Sequence, residues 1–313
     1  MKSTSNGTFT DGTSGMLAQL KAELGERGDS FKAKTTYYDA SRRPMTAEEI
    51  EAKKEEKVGA ELARLLAGLY DKERQKTIEL PEFIVDDFLP RGLVGTLAGE
   101  ASAGKSTFLV HLARFLNYGL PLASEKEADS SEVIPYGEPN LSGSVIYISP
   151  EDPNSVIHRL SAWDKRHDPE GEMERGSPNQ TYVLKACPHM NDETSFQALL
   201  RLVDKVKPIL VIFDTLASVL AETEADADSP ENNNTLLTRF YQSAIRLGGE
   251  RNLSSVVAHH PSKGAELLRG GYSIRASSRF VWEIKPDGEL RKIRIEKSND
   301  FDKTLVSFSL KIS

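Results

Sequence analysis

The chain has 313 residues, a formal net charge of −7 and one cysteine, Cys187. This length accommodates one sizeable α/β domain with an extension, or two modest domains at most. A single cysteine excludes an intrachain disulfide, and no Cys/His spacing resembles a zinc site. The acidic balance argues against a surface covered with nucleic-acid-binding charge, although it leaves room for a local basic groove.

The first 45 residues are rich in Ser, Thr, Gly and charge, and they have few periodic apolar residues. This composition predicts a flexible arm without a core of its own. The N-terminus lacks the apolar core of a signal peptide, and no later apolar run is long enough to span a bilayer. We therefore expect a cytoplasmic protein.

An amphipathic helix is predicted within residues 46–78. Thr46 and Glu49 form a capping-box signature, and apolar residues follow at helical spacing as far as Tyr70. The other face of this helix is highly charged. Two interpretations stay open: the helix lies on its own domain, or it docks on a neighbouring subunit.

From residue 79 to 313, apolar runs alternate with helical stretches, which is typical of a mostly parallel sheet flanked by helices. The predicted strands of this α/β domain are residues 93–98, 144–149, 182–185, 209–213 and 254–258. Helices are predicted after Gly104, after Pro153, and at 192–206 and 232–247. A C-terminal β-hairpin is predicted from 279–284 and 290–295, with a further strand at 305–310. Polar surface insertions are predicted at 124–141, 164–180 and 222–234.

A phosphate-binding loop is predicted between the first strand of the sheet and the helix after it, because the pattern G-x-x-x-x-G-K-[ST] occurs there. The loop consists of Gly99, Glu100, Ala101, Ser102, Ala103, Gly104, Lys105 and Ser106, and Thr107 follows as a second hydroxyl contact. Backbone N–H groups and the helix dipole suit such a loop to bind an anionic phosphate. Lys105 is then expected to reach the β- and γ-phosphates of ATP, and Ser106 to bind Mg²⁺.

Two acidic positions follow predicted strands. Asp214 ends the apolar run 209–213, where a P-loop protein carries the Walker-B aspartate that holds Mg²⁺. Glu151 follows the strand 144–149 and is our candidate for the carboxylate that orients the attacking water. Asp152, just before Pro153, is equally suited to cap the next helix.

A third polar strand end is His259-His260, which precedes a polar loop. A side chain there is suited to contact the γ-phosphate and to report its presence to a moving loop. The alternative is a pair of structural histidines.

Taken together, these residues resemble the RepA-type branch of the RecA/DnaB-like hexameric P-loop ATPases, which are replicative helicase-like AAA ATPases of plasmids and phages. The resemblance covers about residues 80 to 300. It is carried by the phosphate-binding loop, Ser149 to Pro153 with Arg159 and Leu160 behind it, Phe213 to Leu216, His259 to Gly264, and the entry segment 82–92.

The resemblance implies a RecA-like core in a homo-oligomeric ring, usually of six subunits, in which ATP hydrolysis between neighbours drives movement along single-stranded DNA. Glu151 would be the catalytic glutamate, Asp214 the Walker-B aspartate and His260 the γ-phosphate sensor. Arg279 lies near the family's trans-acting finger, with Arg275 as a competitor for that role. Lys297 matches the lysine of a Lys-x-Arg element, although Asn299 stands where an arginine is common.

A surface position on an edge strand is the alternative for each of these cations. The loop 261–273 contains Lys263, Arg269 and Tyr272, a composition suited either to touching DNA in a central pore or to covering the nucleotide.

Two functions follow from these features. The first is an ATP-driven helicase or translocase in the replication of a plasmid, phage or similar element, with the N-terminal arm as a candidate site for a replication protein partner. The second is a regulatory ATPase switch that binds DNA or protein without unwinding, and recombinase-like filament formation is a variant of it.

Overall fold

The computed structural model describes residues 43–69, 71–76, 82–126, 133–223, 233–260, 271–300 and 307–311. The predicted arm up to residue 42, most of the loop 261–273 and most of the acidic segment 222–234 lie outside these residues. The chain divides between residues 78 and 79 into two compact units, which are described separately. Among the described helices, none combines the length and apolarity that crossing a bilayer requires.

The first unit contains helices α1 (Ala47–Ala67) and α2 (Lys72–Lys76). The predicted capping box is present, because the Glu49 N–H donates to Thr46 Oγ1 and the Thr46 N–H donates to Glu49 Oε2. The helix ends at Gly68, whose N–H donates to the carbonyls of Arg64 and Leu65. The sequence predicted one helix here, and the structure has two, because the chain leaves the helical path at this glycine.

The second unit begins with a small antiparallel pair, β1 (Phe83–Val85) and β2 (Leu89–Pro90). The elements that follow are β3 (Val94–Ala98), α3 (Lys105–Tyr118), β4 (Ala123–Lys126), β5 (Val133–Tyr136), β6 (Val145–Ile148), α4 (Pro153–His167), α5 (Glu172–Gly176), β7 (Thr181–Leu184), α6 (Glu193–Val206), β8 (Leu210–Phe213), α7 (Leu216–Thr223), α8 (Asn234–Arg251), β9 (Ser254–His259), α9 (Gly271–Ser277), β10 (Phe280–Asp287), β11 (Leu290–Ser298) and β12 (Ser307–Lys311).

Eight of these strands form one sheet in the order β12-β11-β10-β3-β9-β8-β6-β7. The pairs from β10 to β7 are parallel, whereas β10–β11 and β11–β12 are antiparallel. The predicted α/β class, with a mostly parallel sheet and a C-terminal hairpin, is confirmed. The hairpin turns at Gly288, whose φ of 58° lies in the left-handed region that favours glycine.

Helices cover both faces of the sheet. Within β6, Val145 and Tyr147 pack into the apolar cluster that contains α3 and α4, whereas Ile146 and Ile148 pack into the cluster that contains α6, α7 and α8. This alternation follows from the two-residue period of a strand, and burial on both faces explains why the strand sequences are continuous apolar runs.

Some segments predicted as irregular contain regular structure. The insertion 124–141 includes β4 and β5, which pair antiparallel. In the insertion 164–180, α4 continues to His167, and α5 follows. The sequence also did not predict α7, whose eight residues are too few to show a helical period against the apolar run before it.

Candidate active site

The candidate residues come together at the carboxyl edge of the parallel strands. Strands β3, β9, β8 and β6 are consecutive in the sheet, and each ends at a functional segment. A pocket of about 210 Å³ opens at this edge. It is lined by Ser106, Ser149, Glu151, Asp152, Ser155, Val156, Arg159, Asp214, Thr215 and His260.

The phosphate-binding loop connects β3 to α3. Gly104 caps the helix with a φ of 97°, a conformation that strongly favours glycine. At Gly99 a Cβ would lie 2.6 Å from Ile284 Cγ2, so this glycine is needed for close packing on β10. The packing within the chain is thus a reason for glycine at position 99 that does not depend on phosphate binding.

Lys105 is 5% exposed, and its side chain turns back onto the loop. Its Nζ donates to the carbonyl oxygens of Gly99 at 2.7 Å and Glu100 at 2.8 Å, and lies 2.9 Å from His260 Nδ1. Because an ammonium only donates, Nδ1 accepts and the ring proton belongs on Nε2. All three acceptors are neutral, so an anionic phosphate oxygen would be a stronger partner for the ammonium than any of them.

Burial lowers the pKa of Lys105 to about 8, although the negative charge of Asp214 acts in the opposite direction. Burial and then the Lys105 charge also lower the pKa of His260. The contact between the two side chains therefore joins a protonated lysine to a neutral histidine at neutral pH. His260 thus lies at the predicted position, beside the lysine of the phosphate-binding loop.

Asp214 directly follows β8 and is 6% exposed. Its Oδ2 accepts a hydrogen bond of 2.6 Å from the hydroxyl of Tyr147, while its Oδ1 is buried and has no hydrogen-bond partner within the described part of the chain. Burial, and next the negative charge of Asp214, raise the pKa of Tyr147 well above its usual value, so this hydroxyl is a donor. The Asp214–Thr215 peptide is cis.

These residues fit Mg²⁺ in particular. Mg²⁺ takes oxygen ligands, keeps several waters, and binds nucleotide phosphates through one or two protein groups. The Ser106 hydroxyl and the unpartnered Asp214 oxygen lie on the same pocket. Among the described residues no cluster of three or more His, Cys, Asp or Glu side chains is placed to hold a metal alone.

Glu151 and Asp152 have different surroundings. Glu151 is exposed and lines the pocket. Asp152 also lines it, but its Oδ1 accepts from the Ser155 N–H at 2.9 Å, so Asp152 is the N-cap of α4. The capping interpretation of Asp152 is therefore the one that its contacts support.

The candidate trans-acting cations lie at the opposite end of the parallel strands, away from the phosphate-binding loop. Phe280 pairs with Gly95, and the Arg279 N–H donates to the carbonyl of Val94, the first residue of β3. The strand rises about 3.3 Å per residue, so the length of β3 separates Arg279 from the phosphate-binding loop of the same chain.

These cations also have partners within the chain. The Arg279 side chain forms an ion pair with Asp300. Lys297 Nζ donates to the carbonyls of Arg275 and Ser278, the latter at 2.6 Å. Burial, and then the charges of Arg275 and Arg279, lower the pKa of Lys297. The structure therefore groups Arg275, Arg279 and Lys297 together, but not with Lys105 and Glu151.

Two residues of the site were given no role in the sequence analysis. Tyr147 does not line the pocket, but it donates to Asp214, and a hydroxyl in a strand buried on both faces needs such a partner. Arg159 also had no role in the sequence analysis. It lines the pocket because α4 begins at Pro153, shortly after Glu151. Its guanidinium donates to Ser155 Oγ, one helical turn earlier.

A glycine-containing loop at a helix N-terminus, with a buried lysine and a strand-end aspartate on the same pocket, defines a P-loop nucleoside triphosphatase. Residues 60–266 match the AAA domain family, and the chain belongs to that family. It is therefore a P-loop ATPase. No curated protein matches the sequence. Similar solved structures include a KaiC-like protein from Pyrococcus horikoshii OT3, with 15% identity, 75% of this chain and 93% of that chain covered, and a TM-score of 0.47.

Proposed function

We propose that this ATPase is a RepA-type motor, a helicase or translocase that moves on single-stranded DNA during replication of a plasmid, phage or similar element. The observation that carries the proposal is the meeting of Lys105, Glu151, Asp214 and His260 at one sheet edge, in the arrangement that the resemblance implied. Hydrolysis of the γ-phosphate needs a positioned water and charge stabilisation, and these four side chains are of the types that supply them.

Each side chain has a separate role in this proposal. Lys105 exchanges its carbonyl acceptors for phosphate oxygens, and Ser106 and Asp214 hold Mg²⁺, which would neutralise charge on the phosphates. Glu151 orients the attacking water. His260 loses its lysine partner when phosphate arrives, and this change reports the state of the nucleotide.

The test of Glu151 is Glu151→Gln, which keeps the shape of the side chain but removes the carboxylate. We expect ATP affinity to stay within about threefold of wild type and turnover to fall by about 10²-fold or more. Glu170→Gln, at an exposed position outside the pocket, is the matched control. Unchanged turnover in Glu151→Gln would show that another residue orients the water.

The proposed ring is a homo-oligomer, with six subunits expected. Arg275, Arg279 and Lys297 support it, because their distance from the chain's own phosphate-binding loop leaves a neighbour's site as the one they would serve. The exposed apolar side chains Val58, Leu65, Leu66 and Leu69 at α1 support the docking of this helix on a second subunit.

The motor proposal is tested by measuring the ATPase rate with and without single-stranded DNA, beside strand displacement on a forked duplex. We expect stimulation by DNA and unwinding of the fork. Stimulation without unwinding would favour the regulatory switch, which the net charge of −7 and Asn299 in place of an arginine also favour. An ATPase rate that does not change with DNA would point to protein partners instead.

A further inference from the structure

Tyr147 is fully buried, yet it carries a polar group at the candidate metal site. It belongs to β6, which is paired in parallel with β8, the strand that delivers Asp214. Its hydroxyl donates to Asp214 Oδ2 at 2.6 Å. The hydroxyl thus contacts the carboxylate that the proposed function assigns to Mg²⁺.

We infer that Tyr147 is a positioning residue that holds Asp214 in the geometry needed for Mg²⁺ with ATP. This inference rests on the proposed function of Asp214. The donation to Oδ2 fixes the rotation of the carboxylate, and it leaves Oδ1 as the oxygen without a protein partner in the described part of the chain. A magnesium shell has strict octahedral geometry, so a carboxylate held in one orientation suits it better than a rotating one.

The surroundings of Tyr147 support a positioning role over simple core packing. A phenylalanine would fill the same volume in the apolar cluster without a polar atom to satisfy. In a buried strand the hydroxyl is costly unless it has a partner, and here its partner is a pocket residue at the end of β8. The tyrosine therefore connects β6 to the candidate metal site.

The test is Tyr147→Phe, with Tyr241→Phe as the matched control. Among the described residues, Tyr241 is the other fully buried tyrosine, and its hydroxyl lies 2.6 Å from Thr96 Oγ1, away from the pocket. Each variant deletes one buried hydroxyl, so loss of stability is common to both, and only Tyr147→Phe should alter Mg²⁺ binding.

The measurement is binding of a fluorescent, non-hydrolysable ATP analogue as Mg²⁺ is titrated, together with binding in EDTA. For Tyr147→Phe we expect the Mg²⁺ concentration at half-saturation to rise about tenfold, equivalent to about 1.4 kcal/mol. Affinity in EDTA should stay within about twofold of wild type. Tyr241→Phe should match wild type in both measurements, although both variants melt at a lower temperature.

The outcomes separate the two proposals. If the wild type binds the analogue equally with and without Mg²⁺, the metal site itself is wrong. If the wild type needs Mg²⁺ and Tyr147→Phe needs the same concentration, only the positioning role is wrong.

A second measurement on the wild type covers the case in which Tyr147→Phe does not fold. In protein labelled with ¹³C at the tyrosine Cζ, the resonance of buried Tyr147 should shift when Mg²⁺ joins the bound analogue, while that of Tyr241 should not. Absence of a shift would overturn the inference.

Discussion

Lys105 is bound to two carbonyl oxygens of its own loop and to His260, and a phosphate would compete with all three. We expect Lys105→Ala to lower the ATPase rate by about 10²- to 10³-fold, because the charge that stabilises the transferred phosphoryl group is lost. The measurement is steady-state phosphate release. Lys205→Ala, an exposed lysine on α6, is the control and should retain wild-type turnover. Normal turnover in Lys105→Ala would remove the basis of the site.

The lowered pKa of Lys105, about 8, predicts a pH dependence of nucleotide binding. Phosphate binds the ammonium form, so below pH 8 the site is ready for it. Above pH 8 the free protein has lost this proton and must take it up on binding. Affinity should then fall by up to about tenfold per pH unit. Equilibrium binding of a fluorescent ATP analogue between pH 7 and 9.5 measures this fall.

Lys105→Arg provides the control for that experiment, because a guanidinium keeps its charge throughout this range. Its affinity is expected to be weaker than that of wild type at pH 7 and to vary little with pH. A wild-type affinity that is constant from pH 7 to 9.5 would contradict the assignment of the effect to Lys105.

Sequence and structure differ most at the scale of single side chains. The motif spacing predicted Lys105 and Ser106, because the backbone of a phosphate-binding loop is local to the sequence. Tyr147 could not be found that way, since its partner Asp214 is 67 residues away. Only the pairing of β6 with β8 brings these residues together.

At the scale of elements, the side chain of His111 on α3 connects this helix to α4. His111 Nδ1 accepts from Trp163 Nε1 at 3.0 Å, and His111 Nε2 donates to the carbonyl of Leu122 at 3.0 Å. Both ring nitrogens are thus used by the neutral imidazole. Because α3 carries Lys105 and α4 follows Glu151, this contact helps to fix the two sides of the pocket relative to each other.

Burial lowers the pKa of His111 in the folded protein, so the unfolded chain takes up the proton first as the pH falls below about 6.5. The contribution of His111 to stability is therefore present above that pH and is lost below it, by up to about 1.4 kcal/mol per pH unit. Urea unfolding at pH 7.5 and 5.5 should show a smaller loss for His111→Gln than for wild type.

His158→Gln is the control, since His158 is an exposed histidine on α4. It should lose as much stability as wild type over the same interval. Equal losses in all three proteins would mean that His111 does not carry the effect.

The main elements were predictable because their apolar periodicity is strong. Four-residue strands such as β6 are buried on both faces and therefore appear as unbroken apolar runs. The elements that were missed are short or polar: β4 and β5 lie in a polar segment, and α7 has eight residues. Their formation depends on tertiary contacts, which the local sequence does not contain.

At the scale of the whole molecule, the proposed ring predicts a mass close to six times that of the 34.6-kDa chain when an ATP analogue is present. Light scattering with and without the analogue measures it. Leu65→Glu combined with Leu66→Glu should lower the mass, because a charge would have to be buried where α1 docks. Ala60→Glu, on the opposite side of the helix, should leave it unchanged. A monomer under all conditions would remove any trans-acting role for Arg279.

The parallel sheet gives this ATPase two unlike ends: Lys105 stands at one, while Arg275, Arg279 and Lys297 stand at the other. In the proposed oligomer, each subunit would have to present one of these ends to the other end of its neighbour. A head-to-tail arrangement does so, and it either closes on itself or grows without limit. In such an assembly, the rotation from one subunit to the next would decide between a closed ring and an open filament.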